Sequence, residues 1–434
     1  MRASNTETSK GAIVAAPTFP IPPSAGRRWG QLCVLAVALT LGGVVSVPAV
    51  AKGKTSTAAK PVSKPAGKSA ATAAKPGKGG KAATGKASGK AAGKKAARGG
   101  HVARGAAIGA AAAAAPMGLE HWSPGNAKSD HVEDAKEFES IRATAQTGDA
   151  KAQYLLGSRY RFGKGVKQDL AQAVQWYRKS AEQGYAPAQS DLGVMYANGR
   201  GVSQDEQQAV RWYGKAAEQG DGIAQNNLGL MYAEGRGVAK DEAQAVQWFQ
   251  RSAQSGEAAG QYSLGVMLSS GRGIKEDGRA SLQWFEKAAE QGHADAQYNT
   301  GMIYAVGALV PQDLPRAAKW LDKSANQGNA AAQSSLGFLY ANGQGVSQDA
   351  KTAARWFERA SRQGYTLAQS NLAAMYAGGQ GVEKDMAKAY YWLLIARQQD
   401  PALQSRVETA EQELSAAERV RIQRLVSAWK PVRE

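Results

Sequence analysis

The pair Ala152-Gln153 returns along this chain at a fixed distance. It recurs as Ala188-Gln189, Ala224-Gln225, Gly260-Gln261, Ala296-Gln297, Ala332-Gln333 and Ala368-Gln369, 36 residues apart each time. A tryptophan keeps the same beat at Trp176, Trp212, Trp248, Trp284, Trp320, Trp356 and Trp392. So does an aspartate, at Asp169, Asp205, Asp241, Asp277, Asp313, Asp349 and Asp385. Seven copies in one register restrict the fold to a stack of like units. A unit of this length cannot bury its own apolar faces, so neighbours must stack into one continuous core, a solenoid.

One repeat reads as two helices. In the second copy Ala188, Leu192, Gly193 and Tyr196 fall at helical spacing on one apolar face. Gly199-Arg200-Gly201 ends that helix, since glycine tolerates the left-handed conformation of a C-terminal cap. Asp205 is placed as the N-cap of the second helix, with Gln208 three residues on to complete a capping box. Pro315, two residues after Asp313, fits only a first turn and supports the same start. Ala209, Trp212, Tyr213 and Ala217 make the second apolar face, and Gly220 ends it. The Gly-x-Gly is therefore punctuation between helices and not a phosphate cradle. The glycines Gly157, Gly193 and Gly229 are expected to let paired helices approach closely, and the tryptophans to fill the space between one pair and the next.

The pattern A-x-x-x-L-G-x-x-Y-x-x-G-x-G-V-x-x-D-x-x-x-A-x-x-W-Y-x-x-A-A-x-x-G resembles the Sel-one-like repeat, a relative of the tetratricopeptide repeat. The match covers about residues 149–399. The resemblance implies an all-α, right-handed superhelix of helix pairs. It also implies a protein–protein adaptor, often at the bacterial envelope or in host contact. Some cysteine-rich relatives have been linked to β-lactam binding or hydrolysis, but their paired cysteines are missing from this sequence. The fourth and fifth copies depart from the pattern: Leu268 replaces the tyrosine, Thr300 the leucine, and Gly307-Ala308-Leu309-Val310-Pro311 the Gly-x-Gly-Val turn. A bent or looser stack is expected there.

Capping helices are expected at both ends. Residues 119–148 form the N-terminal cap, with a lone helix from Asp134 to Thr147. Residues 400–434 form the C-terminal cap, two helices beyond Asp400-Pro401. Ser415-x-x-Glu418 is a capping box opening the last one, with Val420, Leu425, Val426 and Trp429 facing the core.

Equivalent positions 36 apart form columns on the first helices. The column two after the glutamine reads Leu155, Asp191, Asn227, Ser263, Asn299, Ser335 and Asn371; the column one after it reads Tyr154, Ser190, Asn226, Tyr262, Tyr298, Ser334 and Ser370. An asparagine can donate to and accept from a peptide backbone at once, and tyrosine adds flat contact area with a polar tip. On the concave face expected for related solenoids, these columns suit an extended peptide or a glycan chain. The bland alternative is a solvated helix face. The glutamine column itself reads as structural, bonding a neighbouring turn. The sharper hypothesis is that Asn227, Asn299 and Asn371 line a partner groove.

Charge separates the chain into zones. Of the formal +18, residues 52–119 carry 12 Lys and 2 Arg with no acid, residues 1–51 add +3, and residues 120–434 sum to +1. Residues 52–118 are Ala, Gly and Lys with almost no apolar surface to bury, and read as a disordered, extended linker. It is either a solvated spacer or a binder of an anionic envelope polymer such as peptidoglycan. Residues 1–51 read as an export signal, with Arg27-Arg28, an apolar run from Leu32 to Val47, Pro48 and the small-x-small site Ala49-Val50-Ala51. An uncleaved membrane anchor is the alternative, and the pair Arg27-Arg28 carries a minor twin-arginine reading. Export would make nucleic acid a weak partner. Cleavage after Ala51 removes Cys33, the one cysteine. With four histidines, His101, His121, His131 and His293, and no metal-ligand spacing, the sequence meets no catalytic constellation. It implies no metal, no cofactor and no catalytic residue. The expected protein is a non-enzymatic exported scaffold, periplasmic or envelope-associated.

Overall fold

The protein is described by a computed structural model covering residues 127–432. The leader at 1–51 and the basic linker at 52–118 lie outside the described residues. Those residues form 17 α-helices and one 3-10 turn, with no strand among them. Helix α1 (Ala127–Gln146) leads, starting before the expected Asp134. Seven helix pairs follow: α2 (Ala150–Phe162) with α3 (Leu170–Glu182), α4 (Ala186–Asn198) with α5 (Glu206–Glu218), α6 (Gly222–Glu234) with α7 (Glu242–Gln254), and α8 (Ala258–Ser270) with α9 (Gly278–Glu290). Then come α10 (Ala294–Val306) with α11 (Leu314–Asn326), α12 (Ala330–Asn342) with α13 (Ala350–Arg362), and α14 (Thr366–Gly378) with α15 (Met386–Arg397). The 3-10 turn Pro401–Leu403, α16 (Gln404–Gln412) and α17 (Ala416–Ala428) close the stack.

The aspartate column caps every second helix. Asp205, for example, accepts from Gln208 N at 2.9 Å. The expected return bond from the Gln208 side chain does not form, because the Asp205 N–H already donates to Tyr196 O at 3.0 Å. The same tyrosine carbonyl bond recurs at Asp169, Asp241, Asp313, Asp349 and Asp385. It ties the turn to the first helix and leaves only half of each capping box. The full box appears at Ser415 and Glu418.

Each turn is also a joint between repeats. Gly199 ends α4 at φ 64°, and Gly201 follows at φ 70°. A Cβ on Gly201 would lie 2.2 Å from Leu170 O, the first residue of α3 in the preceding repeat. Both conformation and space demand glycine there. The fifth repeat solves the same contact in reverse. Leu309 stands in place of the second glycine, and the facing helix start is Gly278, where an added Cβ would lie 2.7 Å from Leu309 Cδ2. The glycine has changed sides of the joint, and the cap bond from Asp313 N to Tyr304 O, 3.0 Å, is retained. Thr300 in that repeat is fully buried with an unpartnered hydroxyl.

The core spine is a glycine against a ring. A Cβ on Gly193 would come within 2.6 Å of the Tyr213 ring, and one on Gly157 or Gly229 as close to Tyr177 or Phe249. The ring in this spine is the residue after the tryptophan, and Tyr177, Phe249, Phe285 and Phe357 are almost wholly buried. Trp176, Trp212, Trp248, Trp284, Trp320 and Trp356 are half-buried, while Trp392 is buried. Trp212 packs on the cluster of Tyr177, Leu192 and Met195, and Trp248 on that of Tyr213 and Leu228. A cation covers the free face of each half-buried indole: Lys179, Lys215, Arg251, Lys287, Lys323 and Arg359, at 4.1 to 4.9 Å.

The last helix corrects one expectation. Ile422 is its buried residue, and Val426 and Trp429 pack beside it on the terminal core. Val420 and Leu425 are 49% and 53% exposed. The buried stripe follows 422, 426 and 429 at helical spacing, and positions 420 and 425 fall outside it.

Candidate partner-binding face

Three adjacent columns on the first helices form two hydrogen-bond ladders. The glutamine column is internal. Gln189 is buried, its Nε2 donates to Ala181 O at 3.0 Å, and its Oε1 accepts from Gln219 Nε2 at 2.7 Å. The amide thus bonds the preceding repeat's last turn and its own repeat's second helix. Gln153, Gln297 and Gln333 do the same with Gln183, Gln327 and Gln363. The ladder lapses where its second member is lost. Ser255 stands 30 residues after Gln225, and Gln399 is turned to Thr366 instead of Gln369. Gln225 Oε1 and Gln369 Oε1 are left buried without partners.

The two columns beside it interlock from repeat to repeat. Ser263 Oγ donates to Asn226 Oδ1 at 2.8 Å, and Asp191, Asn299 and Ser335 lie close enough to Tyr154, Tyr262 and Tyr298 to bear on their hydroxyls. Each link joins the column two after the glutamine to the column one after it in the preceding repeat. Burial pushes the hydroxyls of Tyr154, Tyr262 and Tyr298 well above the usual phenol range. Asp191 is further held by Arg161, with Nη1 to Oδ1 at 2.8 Å. The predicted groove residues Asp191, Ser263, Asn299 and Ser335, with Tyr262 and Tyr298, are half-buried; Asp191 is engaged by Arg161, Ser263 by Asn226 and Tyr262 by His293.

Two rungs stay open. Where the preceding residue is a short serine, Ser190 or Ser334, the asparagine does not close its pair. Ser190 serves Asp221 instead. Asn227 Nδ2 and Asn371 Oδ1 have no partner, although the residues are only 7% and 3% exposed. A buried polar atom without a partner costs roughly 1–3 kcal/mol. Asn227 and Asn371 thus differ from Asn299, with which the sequence grouped them.

The face also carries apolar and titratable groups outside the predicted groove. Leu155 is 38% exposed, Phe162 68% and Ile223 47%. Phe162 lies seven residues after Leu155 and Ile223 four before Asn227, so each pair shares a helix face. Asp221 caps α6 by accepting from Ala224 N at 2.7 Å, and burial raises its pKa above the usual carboxylate value. Glu257 holds the same place before α8 but makes no cap bond. Burial, then the Asp221 charge, push its pKa up. His293 stacks on Tyr262 at 4.5 Å, and burial pushes its pKa down. The 36-residue spacing of these helix-start positions was legible, but their half-burial was not.

Among the described residues no group of three or more His, Cys, Asp or Glu is placed to hold a metal ion. No helix among them is long and apolar enough to cross a membrane.

The sequence profile described as Sel1 repeat matches seven times, at residues 150–185, 186–221, 222–257, 258–293, 294–329, 330–365 and 366–401. A solved structure of a Sel1 repeat protein from Oxalobacter formigenes is 34% identical, with a TM-score of 0.51 over 64% of this chain and 81% of that one. Another, c5321, a protective antigen of uropathogenic Escherichia coli displaying an SLR fold, is 30% identical, with a TM-score of 0.44 over 69% and 72%. The immunity protein Pa5087 from Pseudomonas aeruginosa is 21% identical, with a TM-score of 0.35 over 49% and 81%. No curated protein matches the chain. With seven matched repeats covering more than half of its length, the chain belongs to the Sel1 repeat family, whose members are typically protein–protein interaction scaffolds and generally non-catalytic.

Proposed function

We propose that this chain is a non-enzymatic, exported scaffold at the cell envelope that holds an extended segment of a protein partner on the face of its first helices. The observation that carries this reading is the pair of open rungs. Asn227 and Asn371 each keep an unpartnered amide atom just beneath this face, where Ser263 and Asn226 close the corresponding link, and a partner segment reaches those atoms by shifting the side chains that cover them. An amide donor and an amide acceptor are what a peptide backbone satisfies. The two stand four repeats apart. At about 10 Å per helix layer that is about 40 Å, which roughly 12 extended residues span.

The test begins with photo-crosslinkers at positions 227 and 371, and at Gln175 as an outward control. A partner captured at the first two and not at the third is purified and its affinity measured. Asn227→Ala with Asn371→Ala is expected to weaken binding about thirtyfold, since each hydrogen bond contributes about 1 kcal/mol. Asn299→Ala alone should do less. Equal loss from all three changes would remove the special role of the open rungs. Cell fractionation with N-terminal sequencing tests the location. A soluble envelope species starting at Lys52 supports export, and an intact cytosolic chain overturns it.

A second reading rests on the charge of residues 52–119, which hold 12 Lys and 2 Arg and no acid. In that reading the linker binds an anionic envelope polymer by counterion release while the repeats recruit protein. Retention of the isolated linker on peptidoglycan, lost steeply as salt rises, supports it; no retention at physiological salt leaves a spacer. Nucleic acid would be its target only in a chain that stays in the cytosol.

A further inference from the structure

The end of a solenoid ordinarily turns a polar face to water, because a stacking surface left open invites another stack. Helix α17 departs from that rule. Its buried stripe is Ile422, Val426 and Trp429, against the terminal core. The opposite arc runs from Val420 through Arg424, Ala417, Ala428 and Arg421 to Leu425, at successive helical angles. All six are exposed, and the arc contains no acid. Val420 and Leu425 are among the few large apolar residues that the described structure exposes. Neither Arg421 nor Arg424 takes part in a salt bridge there, although Arg419 on the same helix pairs with Glu411 at 3.2 Å.

Apart from Val432, which follows α17, the other large exposed apolar residues sit on the first helices of the first and third repeats: Leu155, Phe162 and Ile223. The half-buried carboxylates Asp221 and Glu257 stand at the N-terminal ends of α6 and α8, with Ile223 in the first turn after Asp221, while Phe162 lies at the C-terminal end of α2. Neither carboxylate forms a salt bridge among the described residues. Arg161 is neutralised by Asp191. The two surfaces match in kind: apolar edges around unpaired arginines at one end, and apolar residues around unpaired carboxylates at the other. They also match in size. Helix α17 has 13 residues, about 20 Å long, and crosses two to three helix layers of roughly 10 Å each.

The geometry points to head-to-tail self-association, in which the exposed face of α17 in one copy docks on the first-helix face of repeats one to three in the next. Two different patches meet, so the contact is heterologous, and it builds rings or open rows, not a closed twofold dimer. A cationic helix with apolar edges laid on an acidic apolar surface is the helix-in-groove mode of recognition. This goes beyond the scaffold reading, because it needs no foreign partner and does not rest on the open rungs at Asn227 and Asn371.

The test is sedimentation velocity of the purified chain over a concentration series at low and at high salt. Association that grows with concentration and weakens with salt is expected. The variant Arg421→Glu/Arg424→Glu/Leu425→Asp and the variant Ile223→Asp/Glu257→Lys change exposed or half-exposed positions, and circular dichroism verifies that each is folded. Each alone should associate at least tenfold more weakly than the parent. Mixed together, each supplies the surface that the other lacks, so one-to-one pairs should form and stop there. A parent that stays monomeric throughout overturns the proposal. So does association that survives the α17 changes, or a mixture that forms no pairs. Asn227→Ala/Asn371→Ala should leave self-association intact, which separates a failure here from a failure of the partner reading.

Discussion

The glutamine column and the two columns beside it lie on the same seven helices, yet they are built in opposite ways. The glutamine is one residue repeated, with its Nε2 directed at the same carbonyl position in repeat after repeat. One and two residues further on, the identities shift among Tyr, Ser, Asn, Asp and Leu, and each link is made by a different pair. Constancy here reports a joint that every repeat must make to stack on the last. Variation reports positions that stacking does not dictate, and the two asparagines with an unpartnered amide atom, Asn227 and Asn371, lie among them.

That contrast can be broken or sharpened by substitution. The largest effect belongs to the spine that both ladders rest on. Tyr213→Ala removes the ring that fills the space over Gly193 and should cost about 4 kcal/mol, read from urea unfolding. Gly193→Ala forces a methyl against the same ring and should cost about 2 kcal/mol. Next comes the constant ladder. Gln189→Ala removes two hydrogen bonds, one to the Ala181 carbonyl and one from the Gln219 amide, and should cost about 2 kcal/mol. Gln225→Ala should cost about half of that, because its Oε1 has no partner to lose. Equal costs would show that the second glutamine adds nothing.

The variable columns should respond least. Asn371→Ala removes a buried atom that has no partner, so its stability effect should fall within about 0.5 kcal/mol of zero. A large loss would make that asparagine structural. The smallest effect is a pH slope. The folded-state pKa of His293 lies below the ordinary 6.5 because burial disfavours its charge. Its contribution is complete above 6.5 and is lost as pH falls below that value, since the unfolded chain then binds the proton more readily. Asp221 and Glu257 act in the opposite sense, because their pKa values are raised from 3.8 and 4.5. Their contribution is present below those values and is lost as pH rises above them. His293→Asn should cap α10 as Asn329 caps α12 and flatten the slope near pH 6, measured by thermal melting.

Much of the architecture is legible from single positions. Asp205 and its equivalents mark helix starts because a short acceptor before an apolar run caps a helix whatever surrounds it. Gly199 marks a stop because few other residues accept φ 64°. The structural role of the Gln153 column was also legible, since an identical polar residue at every repeat has an identical neighbour. The tryptophan was harder to place. Trp212 and Tyr213 are neighbours, about 100° apart on one helix, and only the position of α4 shows that Tyr213 meets Gly193 while Trp212 lies at the margin under Lys215. The same limit explains Val420 and Leu425, because an apolar residue does not declare which side of a terminal helix has a neighbour.

The sequence by itself determined the all-α repeat, its 36-residue unit, its turns and its helix caps, because these follow from backbone conformation and from patterns within one unit. Tertiary structure decided which members of a column remain open. Asn227, Asn299 and Asn371 are the same residue in the same register. Asn227 and Asn371 follow a serine 37 residues earlier and keep a buried amide atom without a partner, whereas Asn299 follows a tyrosine and does not, a contrast that arises only once the repeats are stacked.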